Sequence, residues 1–319
     1  MKLSVALCTY NGSNFISQQL ESIINQTIKV DEIIICDDCS TDNTVSIIES
    51  FQVKYPNLLT LYQNESNLRV NKNFEKAISL CKGDYIFLSD QDDLWKKEKV
   101  EKIMSHFIKN PLIEALFSNG DLIDEKNQKL DGILWSNILF FNELIVENID
   151  LYYYISNARN MVTGATLCIK KEIKDFILPI PDSKVMYHDE WIALNLSFRK
   201  TISFINENLI SYRVHSAQQI GVIKASSLKK NLNVIESILN SKTNNTSREL
   251  IQIRKSYKRN YKKFKKLKDN FNDKILFDID QIIDNNKQNI INTEKEMKKS
   301  NFLFFYFDKL IKHITNKKN

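Results

Sequence analysis

The sequence predicts an α/β fold built on a doubly wound, mostly parallel sheet. Short apolar runs of strand length alternate four times with segments whose apolar residues recur at helical spacing. Strands that alternate with helices pair in parallel, and the carboxyl ends of parallel strands meet at one edge of the sheet. Polar or acidic residues follow three of these runs, which is the second observation behind the prediction.

The first 90 residues supply this alternation. The predicted strands are 3–8, 32–36, 58–62 and 85–88, and the predicted helices begin near residues 15, 42 and 70. Asp42 or Ser40 is suited to cap the second helix, and Gly83 follows the third helix as a C-terminal glycine does. The fourth strand runs directly into three carboxylates and Trp95.

Three strand ends carry residues that can bind a ligand: Thr9, Tyr10 and Asn11; Asp37 and Asp38; and Asp90, Asp92 and Asp93. Buried carboxylates repel one another, and a divalent cation removes that cost. Mg²⁺ prefers carboxylate oxygens and commonly shares them with phosphates. A solvated acidic turn is the alternative for any one strand end, but three on one edge favour a nucleotide site.

The phosphates of such a nucleotide need a partner other than a glycine-rich loop. The chain has six glycines and neither the G-x-G-x-x-G fingerprint nor the G-x-x-x-x-G-K-[ST] loop. We therefore expect a metal ion to take the place of a backbone cradle.

After the first four strands, the chain is expected to contain strands at 113–118 and 161–170, a helix at 186–198, and a hairpin from 202–205 and 209–212. Gly164 either lets the backbone approach a sugar or forms a strand bulge. The aromatic stretch 132–149, which includes Trp135, either stacks on a sugar acceptor or packs an irregular subdomain.

Several motifs together resemble the GT-A glycosyltransferases of family 2, most closely the bacterial rhamnosyltransferase-like branch. The motifs are Cys8-Thr-Tyr-Asn-Gly12, Asp37-Asp-Cys-Ser-Thr-Asp42, Asn67 with Asn73, Leu88-Ser-Asp-Gln-Asp-Asp-Leu-Trp95, Gly164-Ala-Thr166, His188-Asp-Glu-Trp191 and the segment from Tyr212 to Gly221. They occur in order and cover about residues 1–222.

The resemblance implies an inverting transferase that uses a nucleotide-diphosphate sugar donor and Mg²⁺ or Mn²⁺. It implies that Asp92 and Asp90 bind the metal and that Asp189 is the catalytic base. The expected donor-binding residues are Thr9, Tyr10, Asn11, Asp38, Asn73, Asp90, Arg213 and His215, with Tyr10 and Asp38 at the base and ribose. Arg213 and His215 suit the diphosphate, because guanidinium and imidazole groups can donate to phosphate oxygens.

Two other functions remain as alternatives at this stage. A sugar-phosphate nucleotidylyltransferase shares the nucleotide-binding architecture, but the glycine-rich, arginine-bearing start expected of it is absent. A catalytically inactive nucleotide-sugar-binding module would keep the same motifs. Release of nucleoside diphosphate, of pyrophosphate, or of neither distinguishes the three.

Charge divides the chain into an acidic and a basic part. From Lys224 onward there are 23 Lys and Arg against 10 Asp and Glu, and before it 22 against 29. We expect a catalytic domain at 1–222, with a nucleotide-binding half at 1–118 and an acceptor half at 119–222. Residues 223–319 are then a helical basic region.

This basic region is expected to contain two apolar helical stripes. One consists of Leu228, Leu232, Ile235 and Leu239, and the other of Tyr257, Tyr261 and Phe264. Its charge suits an anionic membrane surface, with helices that pack on the catalytic domain as the alternative. The aromatic run 302–307 beside lysines adds to the membrane interpretation. No nucleic-acid-binding motif is present, so no nucleic-acid partner is expected.

The five cysteines are odd in number and lie mostly in apolar runs, which suits a reducing compartment. The chain starts directly with a strand pattern rather than a signal peptide. We therefore expect a cytoplasmic protein, peripheral at the inner face of the plasma membrane. The resemblance implies a glycan or lipid-linked acceptor.

Overall fold

The computed structural model describes residues 1–138, 150–215, 235, 237–238, 245–271, 275 and 277–300. Its first part follows the predicted alternation of strands and helices. The elements are β1 (Leu3–Thr9), α1 (Ile16–Ile24), β2 (Glu32–Asp37), α2 (Thr44–Lys54), β3 (Leu59–Gln63), α3 (Arg69–Leu80) and β4 (Tyr85–Ser89).

The following elements form the rest of the sheet and its cover. They are β5 (Leu94–Trp95), α4 (Lys99–Lys109), β6 (Ala115–Ile123), β7 (Lys129–Ile133), α5 (Leu134–Ile138), α6 (Leu151–Asn157), a 3₁₀ turn at Gly164–Thr166, β8 (Cys168–Lys170), a second 3₁₀ turn at Lys171–Ile173, α7 (Lys174–Ile177), α8 (His188–Phe198) and β9 (Ile202–Arg213). Two long helices follow, α9 (Ser247–Phe271) and α10 (Ile279–Ser300).

The strands form one mixed sheet in the order β3-β2-β1-β4-β8-β6-β9-β5, with β7 paired to β6. The ladders β3-β2-β1-β4 and β6-β9 are parallel and are the longest; β8, β5 and β7 pair antiparallel. Thr9 pairs with Asp37, and Asp37 with Gln63, so the carboxyl ends of these strands lie at one edge. The α/β fold class is confirmed.

Burial explains why the central strands have almost no polar residues. Every residue of β1 is buried, and Val5, Ile33 and Phe87 are fully inaccessible to solvent. Parallel sheets are covered by helices on both faces, so their strands are continuous apolar runs rather than alternating ones. The polar residues are therefore left for the strand ends.

Two local predictions are corrected. The expected hairpin at 202–212 is the single strand β9, because the polar residues between its apolar halves are absorbed by irregular pairing: Ser118 pairs with Ile205, and the next residue, Asn119, with Asn208. The expected strand 161–170 shortens to β8, because Gly164–Thr166 forms a 3₁₀ turn.

The aromatic stretch is a packing element where the structure describes it. Trp135 is 2% exposed, its Nε1 donates to the Ser118 carbonyl (3.2 Å), and its ring packs on Phe117 and Phe204. Residues 139–149, which include the other rings of this stretch, lie outside the described residues.

The chain forms two compact units. One contains Met1–Glu143 and Met161–Ile223, and the other contains Leu144–Asn160 and Lys224–Asn319. The sequence-based boundary had assigned 144–160 to the catalytic domain. The segment joins the second unit through contacts such as the hydrogen bond from Asn260 Nδ2 to the Asn157 carbonyl (2.6 Å), which no local pattern predicts.

In the second unit, α9 and α10 pack against each other, and Tyr257 and Phe264 of the predicted stripe are buried on α9. Most of the first predicted stripe and the run 302–307 lie outside the described residues. No helix in the described parts of the chain combines the length and apolar character that crossing a membrane requires.

Candidate active site

The loops that follow β1 and β2 are tied together at the sheet edge. Thr9 Oγ1 donates to Asp37 Oδ1 (2.8 Å), and Asp37 also accepts from the backbone N–H of Ser40 (2.8 Å). Asn11 Oδ1 accepts from the N–H of Thr41 (2.8 Å), and the N–H of Asn11 donates to Ser40 Oγ (2.8 Å). Thr9 and Asn11 therefore shape the edge, because their side chains hydrogen-bond to the neighbouring loop.

Tyr10 projects from this edge and is 44% exposed. Gln91 holds its backbone with two hydrogen bonds, since Gln91 Oε1 accepts from the Tyr10 N–H (2.8 Å) and Nε2 donates to its carbonyl (3.0 Å). A Cβ on Gly12 would lie 2.2 Å from Gln91 Oε1, so only glycine leaves room for this clamp. The ring of Tyr10 is thus free to stack on a planar ligand while its backbone is held. Gln91 was not predicted, because its only signal in the sequence is its place between Asp90 and Asp92.

Asp38 and Asn73, both predicted to bind the donor, are buried. Asp38 is 4% exposed, and its carboxylate accepts from Asn64 Nδ2 (2.8 Å) and from the N–H groups of Leu68 (2.7 Å) and Arg69 (2.9 Å) at the start of α3. Asn73 donates to the Cys36 carbonyl (2.9 Å) and accepts from Asn64 (2.9 Å). Both side chains anchor α3 to the strand ends. A contact of either side chain with a donor would therefore be made in addition to these hydrogen bonds.

The segment after β4 contains three crowded carboxylates. Burial, followed by repulsion from Asp92 and Asp189, raises the pKa of Asp90 to about 7. Burial and the neighbouring Asp92 and Asp90 raise the pKa of Asp93 well above its usual range. The Asp90 carboxylate accepts no hydrogen bond from any described residue, unlike Asp93, which accepts from the Arg213 N–H (3.0 Å). Asp90 therefore has the character of a ligand-binding group.

A buried lysine that the sequence analysis missed partly balances this negative charge. Lys99, at the start of α4, is fully buried, and its Nζ lies 3.8 Å from the centre of the Trp95 ring and donates to the Ala165 carbonyl (2.8 Å). Burial lowers its pKa to about 7, while Asp93 and Asp90 act in the opposite direction. The sequence gives no signal for it, because lysine at a helix start is usually exposed.

His215 and Arg213 reach the acidic segment in different ways. His215 Nε2 lies 2.9 Å from Asp92 Oδ2, which places an imidazole at a predicted metal-binding carboxylate. Arg213 is fully buried, and its guanidinium donates to the Asp92 carbonyl (2.7 Å), the Asp124 carbonyl (3.0 Å) and Asn127 Oδ1 (2.6 Å). This guanidinium fixes the backbone that carries Asp92, and the contact of Arg213 with a diphosphate stays a prediction.

The predicted base stands at the amino end of α8. Burial raises the pKa of Asp189 to about 7, against hydrogen bonds from the N–H groups of Glu190 (2.6 Å) and Gly164. Asp189 is one of the charges that raise the pKa of Asp90, so the two carboxylates lie near each other despite the long chain between them. Tyr212, on β9, faces the same group: burial and then Asp93, Asp90, Asp92 and Asp189 raise its pKa. Its signal was only its place beside Arg213.

His188 fills the space behind Asp189. Its ring is 5% exposed and stacks on Phe74 with centroids 3.8 Å apart, and neither ring nitrogen has a hydrogen-bond partner among the described residues. A Cβ on Gly164 would lie 2.5 Å from His188 Nε2. Gly164 is therefore part of a 3₁₀ turn rather than a strand bulge, and it makes room for this imidazole.

Comparison with known proteins bears on this arrangement. The model of Glycosyl transferase family 2 matches residues 4–161. The dTDP-rhamnosyl transferase RfbG of Shigella flexneri is 30% identical over 244 residues, which cover 67% of this chain and 73% of that relative. This chain belongs to glycosyltransferase family 2.

Solved structures share the fold of this glycosyltransferase. S. aureus TarS 1-349 in complex with UDP-GlcNAc matches with a TM-score of 0.55 at 16% identity, over 94% of this chain and 81% of that one. The mannosyltransferase PcManGT from Pyrobaculum calidifontis, in complex with GDP-Man and Mn2+, matches with a TM-score of 0.52 at 14% identity, over 83% and 74%. The GT-A fold and the rhamnosyltransferase-like branch predicted from the motifs are confirmed.

The donor atoms of this glycosyltransferase suit a hard divalent cation, although the described residues form no preformed cage. Among the described residues, no three His, Cys, Asp or Glu side chains already converge with the spacing of metal ligands. Asp90 and Asp92 nevertheless supply carboxylate oxygens beside a third carboxylate, and His215 adds a nitrogen. Such a set fits Mg²⁺ or Mn²⁺, since uncompensated carboxylates are stabilised by a cation.

Proposed function

We propose that this family 2 glycosyltransferase moves a sugar from a nucleotide-diphosphate sugar to a hydroxyl group of a glycan or lipid-linked acceptor, with inversion at the anomeric carbon. Cell-surface polysaccharide synthesis is the expected setting. The observation that carries the proposal is that Asp189, from an element far away in the chain, lies near enough to Asp90 to help raise its pKa. Asp189 then acts on the acceptor, and Asp90 acts on the donor.

Asp189 is the proposed catalytic base. It removes the proton from the acceptor hydroxyl as that oxygen attacks the anomeric carbon and the nucleoside diphosphate leaves. A raised pKa of about 7 favours this role, because a base is most effective when its pKa is close to the working pH. The N–H group of Glu190 donates to its carboxylate (2.6 Å).

Asp92 and Asp90 are the proposed metal-binding residues, with His215 hydrogen-bonded to Asp92 (2.9 Å). When bound, Mg²⁺ or Mn²⁺ supplies positive charge for the diphosphate leaving group. Arg213 keeps the Asp92 backbone in place, and Lys99 limits the negative charge of the segment.

The edge formed by Thr9, Tyr10 and Asn11 is the proposed nucleotide-binding surface. Tyr10 is the side chain best exposed for stacking on a base. Asp38 and Asn73 support this surface through their bonds to Asn64. We also propose that the enzyme contacts an anionic membrane surface from the cytoplasmic side, where a lipid-linked acceptor would be found.

Donor hydrolysis tests this function without knowledge of the acceptor. We expect Mn²⁺-dependent release of nucleoside diphosphate from one member of a panel of nucleotide sugars, and we expect Asp92→Asn to abolish it, because a charged oxygen ligand is lost. Release of pyrophosphate would instead indicate a nucleotidylyltransferase. Undiminished Mn²⁺-dependent turnover in Asp92→Asn would contradict the metal assignment.

A further inference from the structure

The exposed side of α9 carries only cations over most of its length. Between residues 248 and 266, every exposed side chain of this helix is Lys or Arg, and we call this set the basic face: Arg248, Lys255, Lys258, Arg259, Lys262, Lys265 and Lys266. At about 1.5 Å per residue the set extends over about 27 Å. It is therefore an elongated charged row rather than a local cluster.

The opposite side of α9 fixes the direction in which these cations point. Leu250, Ile253, Phe264 and Leu267 are buried at helical spacing, and Leu250 packs with Met297 of α10. Because these apolar residues are buried, α9 cannot rotate about its axis and turn its cations to another side. The basic face thus has a fixed orientation within this unit.

Little of this charge is neutralised by the protein. Lys258 Nζ lies 3.2 Å from Glu294 Oε1, whereas Lys255, Lys262, Lys265 and Lys266 form no ion pair with any described residue. The exposed side of α10 is mixed instead, with Asp284 and Glu296 among its lysines. Among the described residues of the two long helices, the excess of positive charge therefore lies on α9.

We propose that the basic face docks this enzyme on a membrane surface that contains anionic lipids. A straight row of lysines on a convex helix fits a flat anionic surface. Single-stranded nucleic acid is usually held by exposed aromatic rings between the cations, and between residues 248 and 266 the exposed side chains include none. The docking surface adds a membrane-binding site to the proposed function. It rests on that function only because a lipid-linked acceptor gives the enzyme a reason to be at a membrane.

The size of the expected effect follows from the contribution of each cation. A Lys or Arg near an anionic bilayer raises partitioning by about fivefold, so three of them account for on the order of 10²-fold. Lys255, Lys262 and Lys266 are spaced so that they lie along one line of the helix. Lys287, Lys295 and Lys299 on α10 are equally exposed and provide a variant with the same net charge.

The test uses the full chain and vesicles of phosphatidylcholine with or without phosphatidylglycerol, at low salt. We expect wild type to sediment with the anionic vesicles only, K255Q/K262Q/K266Q to lose on the order of 10²-fold in partitioning, and K287Q/K295Q/K299Q to lose far less. Thermal unfolding checks that both variants fold.

Equal losses in the two variants, or no binding of wild type to the anionic vesicles, would overturn the proposal. So would an RNA oligonucleotide that binds more tightly than the vesicles and displaces them. Donor hydrolysis without vesicles separates this proposal from the transferase itself: intact hydrolysis with failed docking refutes only the basic face, and docking without hydrolysis refutes only the transferase function.

Discussion

At the scale of single residues, Asp189 is defined by its surroundings more than by its identity. It lies at a helix start, where an acid would ordinarily be a cap. Its raised pKa, its two N–H donors and its repulsion of Asp90 distinguish it from an exposed helix-start acid. These features support the proposal that this carboxylate is the catalytic base.

We expect Asp189→Asn to lower kcat by about 10²–10⁴-fold with little change in donor or Mn²⁺ affinity, because a base acts on the acceptor. Glu190→Gln is the control and is expected to be milder, since adjacent helix side chains diverge by about 100°. Steady-state kinetics with varied donor measure both. A larger loss in Glu190→Gln would show that the wrong carboxylate was chosen.

The pKa of Asp189 also predicts a pH dependence. Transfer should rise as pH increases through about 7, because the base must lose its proton. Stability changes in the opposite direction: a carboxyl whose pKa is raised by folding binds more protons when folded, so the free energy of unfolding falls between about pH 4 and 7. Denaturant titrations should show a smaller fall in Asp189→Asn, and an unchanged slope would contradict the assignment.

Gly164 and His188 form a size-matched pair behind the base. We expect Gly164→Ala to reduce kcat, because its Cβ would lie 2.5 Å from His188 Nε2 and displace the turn that holds Asp189. Adding His188→Ala should restore part of the loss by removing the obstructing ring, which a double-mutant cycle on kcat and thermal stability measures. If Gly164→Ala is fully active, or the double variant is worse than the sum of its parts, the pair does not position the base.

At the scale of elements, β9 ends between the segment that carries Asp92 and the turn at Asp124. Its last residue, Arg213, donates to carbonyls of both the Asp92 segment and the Asp124 turn. A buried guanidinium with several fixed acceptors cannot be exchanged for an ammonium without leaving acceptors unpaired. The element therefore holds the backbone that carries Asp92.

Arg213→Lys tests this positioning role. We expect the free energy of unfolding to fall by about 1–3 kcal/mol and Mn²⁺ affinity to fall, because a lysine leaves buried carbonyls unpaired. Arg199→Lys, at the partly exposed pair with Glu114, is the control and should change both far less. If Arg213→Lys loses donor affinity but keeps its stability and Mn²⁺ affinity, the result would contradict the positioning role and support the direct diphosphate contact predicted from sequence.

At the scale of the whole molecule, all the proposed ligand-binding residues belong to the unit formed by Met1–Glu143 and Met161–Ile223. Ligands stabilise the region that they contact, and hydrogen exchange resolves that effect locally. We expect Mn²⁺ with a nucleoside diphosphate to slow exchange in the loops after β1, β2 and β4, while α9 and α10 stay unchanged. Protection confined to α9 would place the ligand in the other unit.

The sequence alone was sufficient for the fold class, for the family and for the residues at the strand ends. The reason is physical: apolar periodicity marks each strand and helix, and parallel topology brings the ends of β1, β2 and β4 to one edge. Asp90 and Asp92 could therefore be selected before any tertiary contact was known.

Only the tertiary structure decided what these residues face. Four features depend on contacts between distant parts of the chain. They are the continuous strand β9, the grouping of 144–160 with the second unit, the burial of Arg213 and Lys99, and the fit of His188 against Gly164. Burial and neighbouring charge, which set the pKa of Asp189 and the direction of the Arg213 guanidinium, arise only when those parts meet.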